Sequence, residues 1–286
     1  MKHPKKTLRF APRFPGGPAT RRLVLGAMGL LWLIPVYLLL VNAFRPSTEY
    51  DADRIWVPDG DFGFFDNVKL AWDAAGLGPS ILSTLLYSAV SPLAAVVLGA
   101  MAGFAIVVLR LRAGFWWFML LFGGTIFPIQ MLVIPLFISY SSADLYDRRL
   151  GLVLVYTAVC VPLAALVMRS FFTGVAYSIY EAARVDGASV WRIFWRVYLP
   201  LAVPALSAVA ILEFAFVWND LLFGLTLSQN ENVRPVMTAL SSLSSAYSGS
   251  TVPVVLAAGL VMSLPTVLVF LGAQRIFARG LTLGQY

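Results

Sequence analysis

Long apolar runs, broken at intervals by short polar stretches, set the pattern of this chain. Six lie near residues 23–44, 81–109, 115–139, 150–168, 201–227 and 252–274, and charged residues all but vanish within them. Each is about the roughly 20 residues that a helix needs to cross a hydrocarbon core some 30 Å thick. Backbone polar groups in lipid must bond within their own segment, and the ten-residue alternation of a membrane barrel is absent. The expected fold is therefore an all-α integral membrane protein with about six transmembrane helices. Pro35, Pro92, Pro128, Pro135, Pro162, Pro204 and Pro265 fall inside the runs, where prolines kink or end helices.

The polar intervals divide the chain. Residues 1–22 mix Lys, Arg, Pro and Gly and read as a basic tail with no fold of its own. Residues 23–79 hold the first span and a long outer loop, in which Pro, Gly and acids predict turns or short helices. Residues 80–284 form the remaining core. The short link at 110–114 forces the second and third spans into a hairpin. The interval 228–251 is Ser-rich, either a solvated loop or a surface that reaches a partner.

Composition removes a soluble fold from consideration. The chain is 59% hydrophobic and 12% charged, against about a quarter charged in a soluble domain, and its mean hydropathy is +0.81. A net charge of +7 would suit a nucleic-acid partner, but the basic residues follow the spans instead. Most of them, from Lys2 through Arg22, Arg110, Arg112, Arg169, Arg184, Arg192 and Arg196 to Arg275 and Arg279, fall in one set of alternating intervals. The positive-inside rule makes that set cytoplasmic, so both termini are expected inside the cytoplasmic (inner) membrane, with no nucleic acid as partner. The first apolar run is too long for a cleaved signal peptide and is expected to stay as a span. The one cysteine, Cys160, lies in the fourth run and excludes an internal disulfide.

One cytoplasmic interval, between the fourth and fifth spans, has helical rather than loop character. Residues 178–185 suit a short helix, and Asp186-Gly187 supplies a turn. Ser189 is placed to cap a second helix, on which Trp191, Phe194, Trp195 and Tyr198 fall on one face. Pro200 is expected to mark the turn into the fifth span. A basic amphipathic helix beside a membrane commonly lies in the lipid interface, but the spacing here says more. Glu181-Ala182-Ala183, three residues, Gly187, nine residues, Val197, one residue, Leu199-Pro200 resembles the EAA loop of ABC importer permeases, with Val197 in place of the usual Ile.

The resemblance extends over roughly 80–284 and points to the carbohydrate-uptake branch of the maltose permease type (MalG-like). It is carried by FPIQMLVIPLF at 127–137, LGLVLVYTAVCVPLAALVMRSFF at 150–172, FVWNDLLFGL at 216–225 and QRIFARGLTLG at 274–284. Ala176, Ser83 and the ending at Tyr286 depart from the branch's usual residues. The resemblance implies a coupling loop at 173–200 in which Glu181, Ala182, Ala183, Asp186, Gly187, Ala188, Leu199 and Pro200 meet an ATPase. It also implies the partners: a second permease, two ATPase subunits that bind ATP and Mg, and an external solute-binding protein delivering a sugar-like solute. This chain would need no cofactor. No phosphate loop, HExxH, CxxC or GxSxG occurs, and the sole histidine is His3, so an enzyme is not expected.

Glu213 and Asp220 are acids within the fifth run, and each costs at least about 2.5 kcal/mol to insert. Seven apart on one helix, they share a face with Asn219 beside them. That stripe lines the solute route or scaffolds the bundle. A proton- or sodium-coupled secondary transporter using Glu213 and Asp220 is the alternative from another class.

Overall fold

The computed structural model describes residues 18–58, 60–244 and 251–283, and among these every regular element is helical. Five helices are long and apolar enough to cross a bilayer, and a pair bent by 92° brings the number to six when its two helices are taken as one span. α1 (Pro18–Phe44) begins ahead of the expected edge, with proline at the position where its missing N–H costs nothing. Arg21 and Arg22, assigned to the tail, thus belong to the first turns of the helix; residues 1–17 of that tail lie outside the described residues.

After α1 the chain folds back on its own helix end. The Arg45 guanidinium donates to the carbonyls of Asp51, Arg54 and Val57 at 3.2, 2.8 and 2.6 Å, and Asn67 donates to those of Ala43 and Arg45 at 3.1 and 2.7 Å. These bonds fix short turns and then α2 (Phe64–Ala75), as the Pro-, Gly- and acid-rich stretch predicted. Gly76, at φ 57°, turns α2 directly into α3 (Leu77–Val107).

α3 and α6 (Arg149–Thr173) form the central pair. Gly99 and Gly103 stand four apart on one face of α3. A Cβ on Gly99 would lie 2.6 Å from the Ala164 Cβ, and one on Gly103 2.8 Å from the Arg169 nitrogen. Small residues allow this backbone approach, from which membrane helices gain packing that lipid cannot oppose. The expected hairpin of second and third spans is present, but α3 takes α6 as its main neighbour.

The third run is not one straight helix. α4 (Gly114–Ile126) and α5 (Val133–Ser142) are joined through a short 3-10 turn at Ile129–Leu132 and bent by 92°. The break falls at Phe127, which is extended at φ −66°, ψ 127°, because Pro128 disfavours the helical region for the residue before it.

The fifth run also differs. Its helix starts at Val190, runs as α8 (Val190–Ile193) through a π-helical turn at Phe194–Tyr198 and continues as α9 (Leu199–Trp218). Pro200 does not separate a coupling helix from the span, because it sits beside the π turn, where the bond from Leu199 N–H to the Phe194 carbonyl has already shifted the ladder by one residue. At the other end α9 stops at Trp218, and a separate short helix α10 (Leu222–Leu227) follows. α11 (Val236–Leu243) lies in the last polar interval, of which residues 245–250 are outside the described residues, and α12 (Val252–Leu283) closes the bundle. Trp218 is buried and donates from Nε1 to the Met262 carbonyl of α12 at 2.9 Å.

Candidate functional site

Two places carry the residues that the sequence singles out. The first is the segment between α6 and α9. α7 (Ser178–Val185) has the expected bounds. It closes through bonds from Asp186 N–H to the Ala182 carbonyl, from Gly187 N–H to that of Arg184 and from Ala188 N–H to that of Ala183. Gly187 stands at φ 77° with nothing within 4 Å of where a Cβ would be, so its requirement for glycine is conformational and not steric. Ser189 caps α8 as expected, its hydroxyl accepting from Arg192 N–H at 3.3 Å.

Glu181, Ala182, Asp186 and Gly187 are exposed, whereas Ala183 and Ala188 turn toward the core. Periodicity did not single out Val185, yet it is 88% exposed at the tip. The root is aromatic: Ile193, Phe194 and Tyr198 are buried with Phe104 of α3 and Met168 and Phe172 of α6. Trp191 and Trp195 remain exposed, so the expected aromatic face is divided into a buried pair and an outward pair. Leu199 packs on this core while Pro200 is exposed. Arg110 stacks over the Tyr177 ring at 4.1 Å and Arg169 over the Phe118 ring at 3.9 Å, tying the α3–α4 turn and α4 to the same unit. Neither pair has a local sequence signature, since the partners are far apart in the chain.

The second place is a cavity of about 280 Å³ between the α4 break, α6 and α9. Gly124, Thr125, Phe127 and Ile129 line it from the break, Val159, Cys160 and Leu163 from α6, and Leu212, Glu213 and Phe216 from α9. Glu213 is 2% exposed, and neither carboxylate oxygen has a hydrogen-bond partner.

The polar stripe expected from Glu213 to Asp220 is not a single helical face, because α9 ends between them. Asp220 lies beyond the helix and is fully engaged. Its Oδ2 accepts from the Tyr156 hydroxyl at 2.9 Å and from the N–H groups of Phe223 and Gly224 at 3.1 and 3.2 Å. It thus holds the start of α10 against α6. Asn219 is exposed and donates back to the Ala215 carbonyl at 2.7 Å. Of the three residues, Glu213 alone lines the cavity.

The far end of α10 is tied down as well. Asp147, in the turn before α6, accepts at Oδ1 from the N–H groups of Gln229 and Asn230 at 2.8 and 2.9 Å. Ser83 and Arg149 donate to the Asn232 carbonyl, and Tyr87 to that of Val233. Thr84 accepts from Val236 N–H at 2.7 Å. The stretch from Ser228 to Val236 is therefore strapped to α3 and to the start of α6.

A bundle of bilayer-length helices with an exposed, glycine-turned helix pair rooted under it is the form of a transport permease. Residues 95–283 match the family of binding-protein-dependent transport system inner membrane components, and the chain belongs to that family. It is similar to the diacetylchitobiose uptake system permease of Streptomyces coelicolor, 28% identical over 91% of this chain and 87% of the relative. It is also similar to the trehalose transport system permease of Mycobacterium tuberculosis, 32% identical over 88% and 91%. A bacterial ABC transporter involved in import of the acidic polysaccharide alginate has the same fold at a TM-score of 0.70 and 22% identity, over 90% of this chain and 95% of that one. The chain is thus a multi-pass ABC importer permease, a transport subunit and not an enzyme. The secondary-transporter alternative built on Glu213 and Asp220 is set aside by this membership.

Proposed function

We propose that this permease moves a sugar or related small polar solute inward across the cytoplasmic membrane by alternating access. In this reading it pairs with a second permease and two ATPase chains, which bind the ATP and Mg that this chain does not, and receives solute from an external binding protein. Both termini and the segment 173–200 face the cytoplasm. What supports the carbohydrate assignment is the recurrence of saccharide names among the relatives.

The observation that carries the coupling role is the contrast between tip and root in the α7–α8 segment. Glu181, Ala182, Val185, Asp186 and Gly187 are free to meet another chain, while Phe194 and Tyr198 are locked among α3 and α6. A push on the tip is delivered to the spans only through a stiff root of this kind. Val185 supplies an apolar anchor and Glu181 an acceptor for a cation of the ATPase.

Gly187 gives the test. A β-branched residue at φ 77° costs about 1–2 kcal/mol or more, whereas asparagine visits that region readily. Gly187→Val is expected to insert normally, lose ATP-driven saccharide uptake and retain less ATPase on purification from membranes. Gly187→Asn is expected to keep most uptake. Full uptake by Gly187→Val, or purified permease that never carries a P-loop protein, would remove the coupling role.

A further inference from the structure

The cavity at the α4 break holds a group for which the fold provides no internal reason. A buried polar atom is ordinarily satisfied, and an acid at membrane depth ordinarily finds a partner or a watery route. Asp220 obeys this rule with three donors. Glu213 does not: among the described residues nothing donates to either of its oxygens. Thr125, the other polar side chain in the lining, already donates to the Phe122 carbonyl at 2.7 Å. The rest of the wall is apolar, and Phe127, Leu163, Leu212 and Phe216 are exposed around it while Glu213 and Cys160 are buried.

We propose that Glu213 is a solute-reading residue, its two carboxylate oxygens accepting from adjacent hydroxyls of a single sugar residue whose C–H face packs on Phe127 and Phe216. This rests on the carbohydrate-importer reading above and names the contact within it. Two neighbouring hydroxyls match the two oxygens, the exposed aromatic rings offer a face for the ring's C–H groups, and its remaining hydroxyls face the open side of the cavity; a cation is the competing occupant that the test separates. The volume, about 280 Å³, lies near the lower end of small-molecule sites, about 300 Å³, and suits one ring at a time. The site lies against the bent span, so movement of α4 relative to α9 would open or close it.

The sole cysteine makes the proposal measurable in the assembled importer. Cys160 lines the same cavity, so alkylation by N-ethylmaleimide in membranes reports occupancy, with trehalose, raffinose and the diamine putrescine as probes. A saccharide is expected to slow alkylation of the unaltered protein. In Glu213→Gln, loss of a charge-assisted hydrogen bond raises the half-protecting concentration and the KM of saccharide uptake by about tenfold or more. Asp220→Asn is expected to leave both unchanged. The proposal is overturned if no saccharide protects or drives uptake, if Glu213→Gln matches the unaltered protein in both measurements, or if putrescine protects and saccharides do not. ATPase retained on the purified permease is measured on the same membranes. Its absence counts against the importer reading itself, whereas its presence with no dependence on Glu213 counts against this site alone.

Discussion

Seven residues separate Glu213 from Asp220, and their side chains do opposite kinds of work. Asp220 is a fastener: removing it leaves the Tyr156 hydroxyl and two N–H groups at the start of α10 without an acceptor, worth about 1–3 kcal/mol for such a loss. Asp220→Ala is expected to lower the thermal midpoint of the detergent-solubilised permease, followed by fluorescence size-exclusion, without changing which solute is taken up. The glycines on α3 are fasteners of another sort. Gly99→Leu drives a side chain into Ala164 and Ala165, and overpacking of that kind costs about 1–3 kcal/mol; a clear drop in folded permease recovered from membranes is expected. Sequence reasoning reached Glu213 and Asp220 because an acid in an apolar run is conspicuous. It could not separate them, because only the end of α9 at Trp218 decides that one is anchored and the other left open. Gly99 and Gly103 passed unnoticed, since glycines at that spacing become informative only once α6 is known to lie against them.

At the scale of elements, the segment of α7 and α8 was the most legible part. The bounds of α7, the turn at Gly187 and the cap at Ser189 follow from local chemistry, and the structure has each of them. Two features did not come through in full. Pro128 is among the prolines expected to kink or end a helix, and the third run does break there, but hydropathy averaged over the run gives no measure of the 92° bend. The π turn is likewise invisible to a count of 3.6 residues per turn. That turn sets the rotation of the tip relative to α9. Inserting one alanine after Ala202, in the regular part of α9, would rotate α7 and α8 by about 100° about the span. The expected outcome is a permease that still inserts but retains no ATPase, measured by affinity purification from membranes.

For the whole molecule, the number of crossings and the polar intervals between them follow from apolar length and the charge pattern, and the five long helices and one bent pair fit the former. Which face is which is a matter of charge alone, and it has a direct check. With Cys160, the one free cysteine, replaced by alanine, Asn230→Cys and Val185→Cys lie in exposed intervals at opposite ends of the bundle on the expected topology. A membrane-impermeant maleimide is expected to label Asn230→Cys in intact cells and Val185→Cys only after the cells are opened. The reverse pattern would turn the protein over and detach the coupling segment from any cytosolic motor.

The strap from Ser228 to Val236 sets how such a molecule can move. It joins α10, α3 and the start of α6 at a single end of the bundle, while at the opposite end α3 and α6 meet the π turn through edge-on and tilted rings. A bundle fastened by hydrogen bonds at one end and by ring packing at the other is expected to open like a pair of tongs, with its pivot at the strapped end and its play at the other.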